Sequence, residues 1–508
     1  MGGILRIGRS GLLLGAVLVC AAAVRLYGLS WLPPAHYRDV ALTALDAMRA
    51  ASGHPRLHYT YDEGLYSNLM GLGFVLFGPS DWSVRLPGAL IGVLTCWGVY
   101  RLGKSLRHRR AGLYGAALLG ASFWHLLLSR SGFRAILLPL LLALSIALLV
   151  EGLRGRSVAR MAAAGALLGL GVHVYPAVRF APFILPIYLL AELGHDREAW
   201  RRAAKGLAAF LGAALLVALP MLVHYLHRPE HFTLPHRVVS VFSPKLAPGQ
   251  AGLNLRRNVP ATLLMLHWSG DRNWRHNIAG APMLDPISGL LMLIGAVAAL
   301  RGPPPSAALL LAWVPIMLLP SYLSVEGVPH ALRSCGALPA VALLAGFGLA
   351  AVEDLSARRA GERFAAAGAL ALLVGLGIWT SYRYFIVWGR DPRVAQAHDF
   401  AFRAAARVLA SAPRGVGKFV VANGEGFRAY GWPAEVHPYL FELRDERATI
   451  LGPHDSSRLV LRGRPALVAL VRRDEAVLET IRRLNPGAMI REVRAPGLSV
   501  DSPVYRIN

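Results

Sequence analysis

The feature that most constrains this chain is a rhythm of long apolar runs broken by short basic linkers. Such runs occupy residues 11–24, 85–103, 111–129, 135–151, 161–175, 180–193, 206–225, 287–300, 307–323, 335–352 and 364–379, eleven in all. A helix needs about 20 predominantly apolar residues to cross a hydrocarbon core of about 30 Å, so several runs lie near the lower limit. The fold class expected is a polytopic α-helical membrane protein with about 11 transmembrane helices. Charged residues make up only 16% of the chain, against roughly 25% in soluble domains. That deficit fits a chain solvated by lipid over much of its length.

The net charge of +25 would suit nucleic acid, but the basic residues sit in short clusters between apolar runs and form no single basic face. No nucleic-acid partner is expected. Lys104, Arg107, Arg109 and Arg110 form one cluster, Arg154, Arg156 and Arg160 another, and Arg197, Arg201, Arg202 and Lys205 a third. Arg301 follows alone, then Arg358, Arg359 and Arg363. With Arg6 and Arg9 inside, every second linker carries positive charge, which orients the chain amino terminus in and carboxyl terminus out. The first run reads as an uncleaved anchor, because further spans follow it. Cys20, Cys96 and Cys335 all fall inside apolar runs, too scattered for a zinc site or a disulfide framework.

The linkers on the other side differ in kind. Residues 25–84 form a first external loop with interfacial helices, crowded with His36, Arg38, Asp39, His54, His58, Asp62 and Glu63. A long external loop, 226–286, is rich in His, Arg, Asn and Trp. Polar groups held at a membrane boundary are costly, so such a cluster is by default a functional site. Asp39, just past the first span, can be partly desolvated while neighbouring cations hold it ionised, and both conditions suit a general base. The plainer reading is a helix cap. Arg38, Arg85, Arg130, Arg134, Arg179 and Arg333 recur at outer ends of the runs. Guanidinium forks match phosphate oxygens, although snorkelling to lipid headgroups would place any one of them there too. Glu63, Tyr175 and His330 complete the candidate substrate-binding set. His54 and His58 with Asp62 or Glu63 have no recognised ligand spacing, so no metal ligand is assigned, and a divalent cation is the one cofactor left open.

From 381 to 508 the composition becomes that of a soluble domain. Residues 417–422 and 466–471 read as buried strands, and 398–410 and 474–484 as helices, which makes a small extracytoplasmic α/β domain. The division expected is 1–380 for the membrane catalytic part and 381–508 for this domain.

Several short motifs, in order and on one side, carry a resemblance. They are Tyr37-Arg38-Asp39, Glu63, Phe77-Gly78-Pro79-Ser80 with Arg85-Leu86-Pro87-Gly88-Ala89, Ser129-Arg130 with Arg134, Tyr175 with Arg179, and Pro329-His330-Ala331-Leu332-Arg333. Together they resemble the GT-C glycosyltransferases, nearest to the protein O-mannosyltransferase and aminoarabinose-transferase-like group, family 39, over about residues 1–390. The resemblance implies a multi-pass protein of the inner (plasma) membrane with its active site on the extracytoplasmic side. It implies a polyprenyl-phosphate sugar donor, a lipid, glycan or protein acceptor, and usually inversion at the anomeric centre. Asp39 would be the base, Glu63 a supporting acid, and Arg85 with the other outer arginines the phosphate ligands. Members often carry Asp-Glu at the base, whereas Val40 follows Asp39 here. The alternatives are a lipid-linked sugar flippase or transporter, which would call for ionisable residues near mid-span, and a non-catalytic membrane scaffold.

Overall fold

The computed structural model describes residues 9–425, 427–453 and 455–508; Arg6, used above for orientation, lies outside the described residues. The chain is 66% helical. Each apolar run of the sequence coincides with an apolar helix. Among the described residues, seven helices are long and apolar enough to span: Asp81–Ser105, Arg134–Arg154, Pro176–Leu193, Arg197–His227, Pro304–Tyr322, Cys335–Ala360 and Glu362–Trp388. Three more runs form shorter helices, at Ser10–Leu26, Val158–His173 and Pro286–Leu300.

The run at 111–129 is not one straight helix. Helices Arg109–Gly120 and Phe123–Arg130 are bent by 59° at the break between them. Ser122 starts the second piece, its hydroxyl accepting from the His125 backbone N–H. A break leaves carbonyls without helical donors, and here Arg25, fully buried, donates to the Gly120 carbonyl at 3.3 Å and bonds His125 Nδ1 at 2.8 Å.

Small residues let the helices close on one another, as expected where lipid removes the hydrophobic drive between helices. Helix Val158–Leu170 meets Arg197–His227 through Gly165 and Gly169. A Cβ at either would lie 1.9 Å from the Phe210 carbonyl oxygen or 2.3 Å from that of Ala214. Gly348 and Gly295 do the same for helices Leu338–Ala360 and Pro286–Leu300.

Two helices of the first loop frame the site. Arg38–Ala51 buries Val40, Ala41, Ala44 and Ala47, and packs on Leu65–Phe77 and on helix His437–Glu442. Leu65–Phe77 leaves Leu69, Leu72, Val75, Leu76 and Phe77 exposed, an apolar face suited to the membrane surface.

The carboxyl-terminal sheet has strands β1 (Gly417–Val421), β4 (Thr449–Leu451), β5 (Ala466–Leu470), β6 (Ile490–Glu492) and β7 (Val504–Ile507), with a short hairpin β2 (Arg428–Ala429) and β3 (Trp432–Pro433) beside it. Its order is β4-β1-β5-β7-β6; β4, β1 and β5 run parallel, and β7 pairs antiparallel with both β5 and β6. Val420, Val468 and Ala469 are fully buried, the apolar-run signature of strands covered on both faces.

The sheet domain is latched to the first loop by buried polar contacts. The Tyr430 hydroxyl donates to Asp46, and Arg49 lies over the Tyr430 ring at 3.9 Å. Arg403 reaches Asp81, Glu442 at 3.1 Å and the Pro34 carbonyl at 2.9 Å.

Candidate active site

Asp39 stands in the first turn of helix Arg38–Ala51, where the macrodipole favours a carboxylate. It does not cap the helix: Tyr37 occupies the N-cap position, without a side-chain cap bond. The Asp39 backbone carbonyl accepts from Thr43 at 2.9 Å. Its carboxylate, among the described residues, has neither a hydrogen bond nor an ion pair. Burial and the neighbouring Asp62 push it up to about 6, against the pull of Arg275, Arg134 and Arg38. A carboxylate left open, basic and faced by guanidiniums is chemically a proton acceptor near neutral pH.

Around it the arginines divide by partner. Arg134 is held by two acids, Asp62 by a short ion pair and Glu63 at 3.4 Å, and stacks over Tyr175 at 5.6 Å. Glu63 is buried, accepts from the Tyr225 hydroxyl at 3.2 Å, and is raised by desolvation. Arg275 lies 3.5 Å over the Tyr37 ring and bonds the Asn273 side chain, with no carboxylate within ion-pair reach among the described residues. Arg333 bonds Ser324 and lies 3.5 Å from the Glu326 carbonyl oxygen, likewise without a carboxylate partner among the described residues. These two leave positive charge unmatched in the site. Burial pushes the Tyr175 hydroxyl up to about 12, against the pull of Arg333 and Arg134.

His330 joins them through a polar triad. Asp271 accepts from His276 Nδ1 at 3.0 Å and from the Ala331 backbone N–H at 2.9 Å, with His330 Nδ1 3.9 Å away. Burial, then His276, Arg333 and Arg275, hold His330 well below the usual imidazole range, so near neutral pH it is an uncharged imidazole.

Other expected ligands go elsewhere. Arg85 is fully buried and donates to the Leu29 and Ala35 carbonyls at 2.8 and 3.3 Å. Arg130, also fully buried, donates to the carbonyls of Val24, Arg25, Tyr27 and Leu32 and packs under Tyr384 and Phe385. Arg38 turns to the sheet domain, pairing with Asp399 at 2.8 Å and Glu435 at 3.4 Å. Arg179 lies over Phe232 at 4.0 Å and donates to its carbonyl. The structure therefore gathers Asp39, Glu63, Arg134, Tyr175, His330 and Arg333, and it directs Arg85 and Arg130 to backbone carbonyls.

Arg275, Asp271 and His276 are additions that spacing alone did not single out, although the loop containing them stood out as rich in His, Arg, Asn and Trp. Among the described residues, two groups have the donor atoms for a cation: His58, His224 and His231, and Asp271, His276 and His330. In each, the ligand atoms lie within 4.8 Å of one another. His58 thus meets two histidines of the distant 224–231 segment.

Comparison with known proteins agrees with this architecture. Residues 65–224 match the family described as dolichyl-phosphate-mannose-protein mannosyltransferase. No curated protein matches the chain. ArnT from Cupriavidus metallidurans bound to undecaprenyl phosphate is similar in structure, with TM-score 0.62 and 15% identity over 99% of this chain and 98% of that one. The Archaeoglobus fulgidus oligosaccharyltransferase tethered with an acceptor peptide gives TM-score 0.51 and 16% identity over 94% of this chain and 69% of that one. The same organism's AglB in complex with an inhibitory peptide and a dolichol-phosphate gives TM-score 0.50 at 16% identity, over 94% and 69%. Residues 65–224 therefore carry the match to that mannosyltransferase family, and the chain as a whole shares the fold of ArnT and of the archaeal oligosaccharyltransferase.

Proposed function

We propose that this protein transfers a sugar from a polyprenyl-phosphate-linked donor to an extracytoplasmic acceptor, with Asp39 as general base. The observation that carries the reading is the open Asp39 carboxylate, raised to about 6 and faced by Arg275 and Arg134. In the step, Asp39 takes the proton of an acceptor hydroxyl and the acceptor oxygen bonds the anomeric carbon. The bond from that carbon to the phosphate oxygen breaks, and its electron pair leaves on phosphate. Attack opposite the leaving group inverts the anomeric centre.

Developing charge on phosphate needs donors fixed before the reaction. Arg275 and Arg333, having no carboxylate partner among the described residues, fit that role better than Arg134, which Asp62 and Glu63 already neutralise. Neutral His330 and Tyr175 add donors beside them, and Glu63 serves to hold Arg134. The related structures containing undecaprenyl phosphate or dolichol-phosphate support a lipid-phosphate donor here.

The basic clusters support an amino terminus inside, a carboxyl terminus outside, and residues 381–508 as an extracytoplasmic domain in the inner membrane's outer space. Either cation group of the site could hold a divalent ion, and chelation of the purified protein would test dependence on it. The test of the reaction is release of free polyprenyl phosphate from a polyprenyl-phosphate sugar by purified protein. A flippase or a scaffold would release none.

A further inference from the structure

The sheet domain carries a second site. Its parallel strands run β4-β1-β5, so the chain leaves β1 to one side and later returns as β5 on the other. Open α/β sheets bind ligands in the crevice beyond the carboxyl ends of their strands, where the strand order reverses. At that point lies a cleft of about 440 Å³, lined by Arg38, Phe402, Glu435, Arg472, Asp501 and Ser502. Asn423, just past β1, and Arg472, just past β5, are joined by two hydrogen bonds of 2.8 and 3.0 Å.

Glu435 decides what the cleft takes. Only 4% of it is exposed, and its Oε1 lies between Arg38 at 3.4 Å and Arg472 at 3.3 Å. Its Oε2 is buried without a hydrogen-bond partner among the described residues. A carboxylate oxygen only accepts, and leaving one unmatched in a buried position is costly. Gly424 keeps the space beside it clear, since a Cβ there would stand 3.0 Å from Oε2. An anionic phosphate would meet the negative charge of Glu435 and Asp501 at this cleft, Arg38 and Arg472 already face Glu435, and Arg473 is paired with Glu492. A ligand rich in hydroxyls satisfies all the groups: it donates to Glu435 and accepts from the arginines, and its ring face rests on Phe402.

We propose that this cleft binds a saccharide, and that the saccharide is the acceptor. The second part rests on the transferase reading. Arg38 lines the cleft, and Asp39 follows it on a different face of the same helical turn, near enough for the Arg38 charge to act on it, so a glycan that extends past Arg38 reaches toward the base. The cleft then selects a glycan over a peptide acceptor.

The test uses the full-length protein in lipid nanodiscs and saturation-transfer NMR. The probes are mono- to tetrasaccharides of mannose, arabinose and N-acetylglucosamine, with inorganic phosphate and a lysine-containing peptide as rivals. At least one saccharide should bind, and Glu435→Gln and Gly424→Ala should each weaken it about tenfold, the loss of a hydrogen bond to a charged group. Arg472→Gln, at a half-exposed position, serves if either variant fails to fold. Absence of saccharide binding, equal binding by the variants, or phosphate or peptide binding that these variants abolish would overturn the proposal. Asp39→Asn should keep saccharide binding. A wild-type protein that binds saccharide but releases no polyprenyl phosphate would sink the reaction while leaving the cleft's ligand class standing.

Discussion

Two sets of arginines stand around the approach to Asp39, and in the sequence Arg85, Arg130, Arg134 and Arg333 look alike. Arg85 and Arg130 are sealed from solvent and donate to carbonyls of residues 24–35, the turn that brings the chain from the first helix to Asp39. Arg134, Arg275 and Arg333 lie on the other side of Asp39, facing acids, rings and hydroxyls. The first set clasps backbone and the second shapes an electrostatic field. A guanidinium's role follows from what stands opposite it, and depth in the membrane does not decide it.

The clasp should break hardest. Arg130→Ala leaves four carbonyls without their donor. At about 1–3 kcal/mol for each buried group left unmatched, the expected loss exceeds about 3 kcal/mol. Thermal unfolding in detergent should show a large fall in midpoint, with activity lost only as folded protein is lost. The field set should behave oppositely. Arg275→Ala is expected to lower kcat for donor turnover about 10²–10³-fold, the usual cost of removing one preorganised charge-stabilising donor, with the unfolding midpoint nearly unchanged. If Arg275→Ala unfolds the protein while Arg130→Ala merely slows it, the two sets have been assigned the wrong way round.

A pH profile sharpens the contrast further. Asp39 sits at about 6, raised by burial and Asp62, so its base form is present above that value and is lost as pH falls. kcat/KM should decline with a midpoint near pH 6 and drop about tenfold per unit below pH 5. The clasp variants should leave that midpoint in place, whereas Arg275→Ala, which removes a cation that lowers Asp39, should move it upward. The smallest effect belongs to the latch of the sheet domain. Tyr430→Phe removes the hydroxyl that donates to buried Asp46 and should cost about 1–3 kcal/mol of stability, with little change in donor turnover.

The membrane helices were legible because apolar runs are local. Strands β1 and β5 were legible too, from the apolar segments 417–422 and 466–471. The break at 120–123 was hidden: Ser122 is an ordinary residue inside an apolar run, and the carbonyl the break exposes is satisfied by Arg25, 95 positions away. Arg38 shows the same limit, since its partner Asp399 is 361 residues distant. Asp39 was readable from its place after the first span, but its open carboxylate depends on Arg134 being neutralised by Asp62 and Glu63. Arg275 was one basic residue in a loop rich in them. Its position over Tyr37 is a product of tertiary packing.

The central claim is that Asp39 accepts the proton of the attacking hydroxyl. The most direct measurement is single-turnover sugar transfer from a polyprenyl-phosphate donor by Asp39→Asn, with donor binding measured in parallel. The substitution keeps the side-chain shape and removes the basic oxygen. Transfer should fall about 10²–10⁴-fold, the range for loss of a positioned base, while donor affinity stays within a few-fold of wild type. Transfer at the wild-type rate would contradict the account.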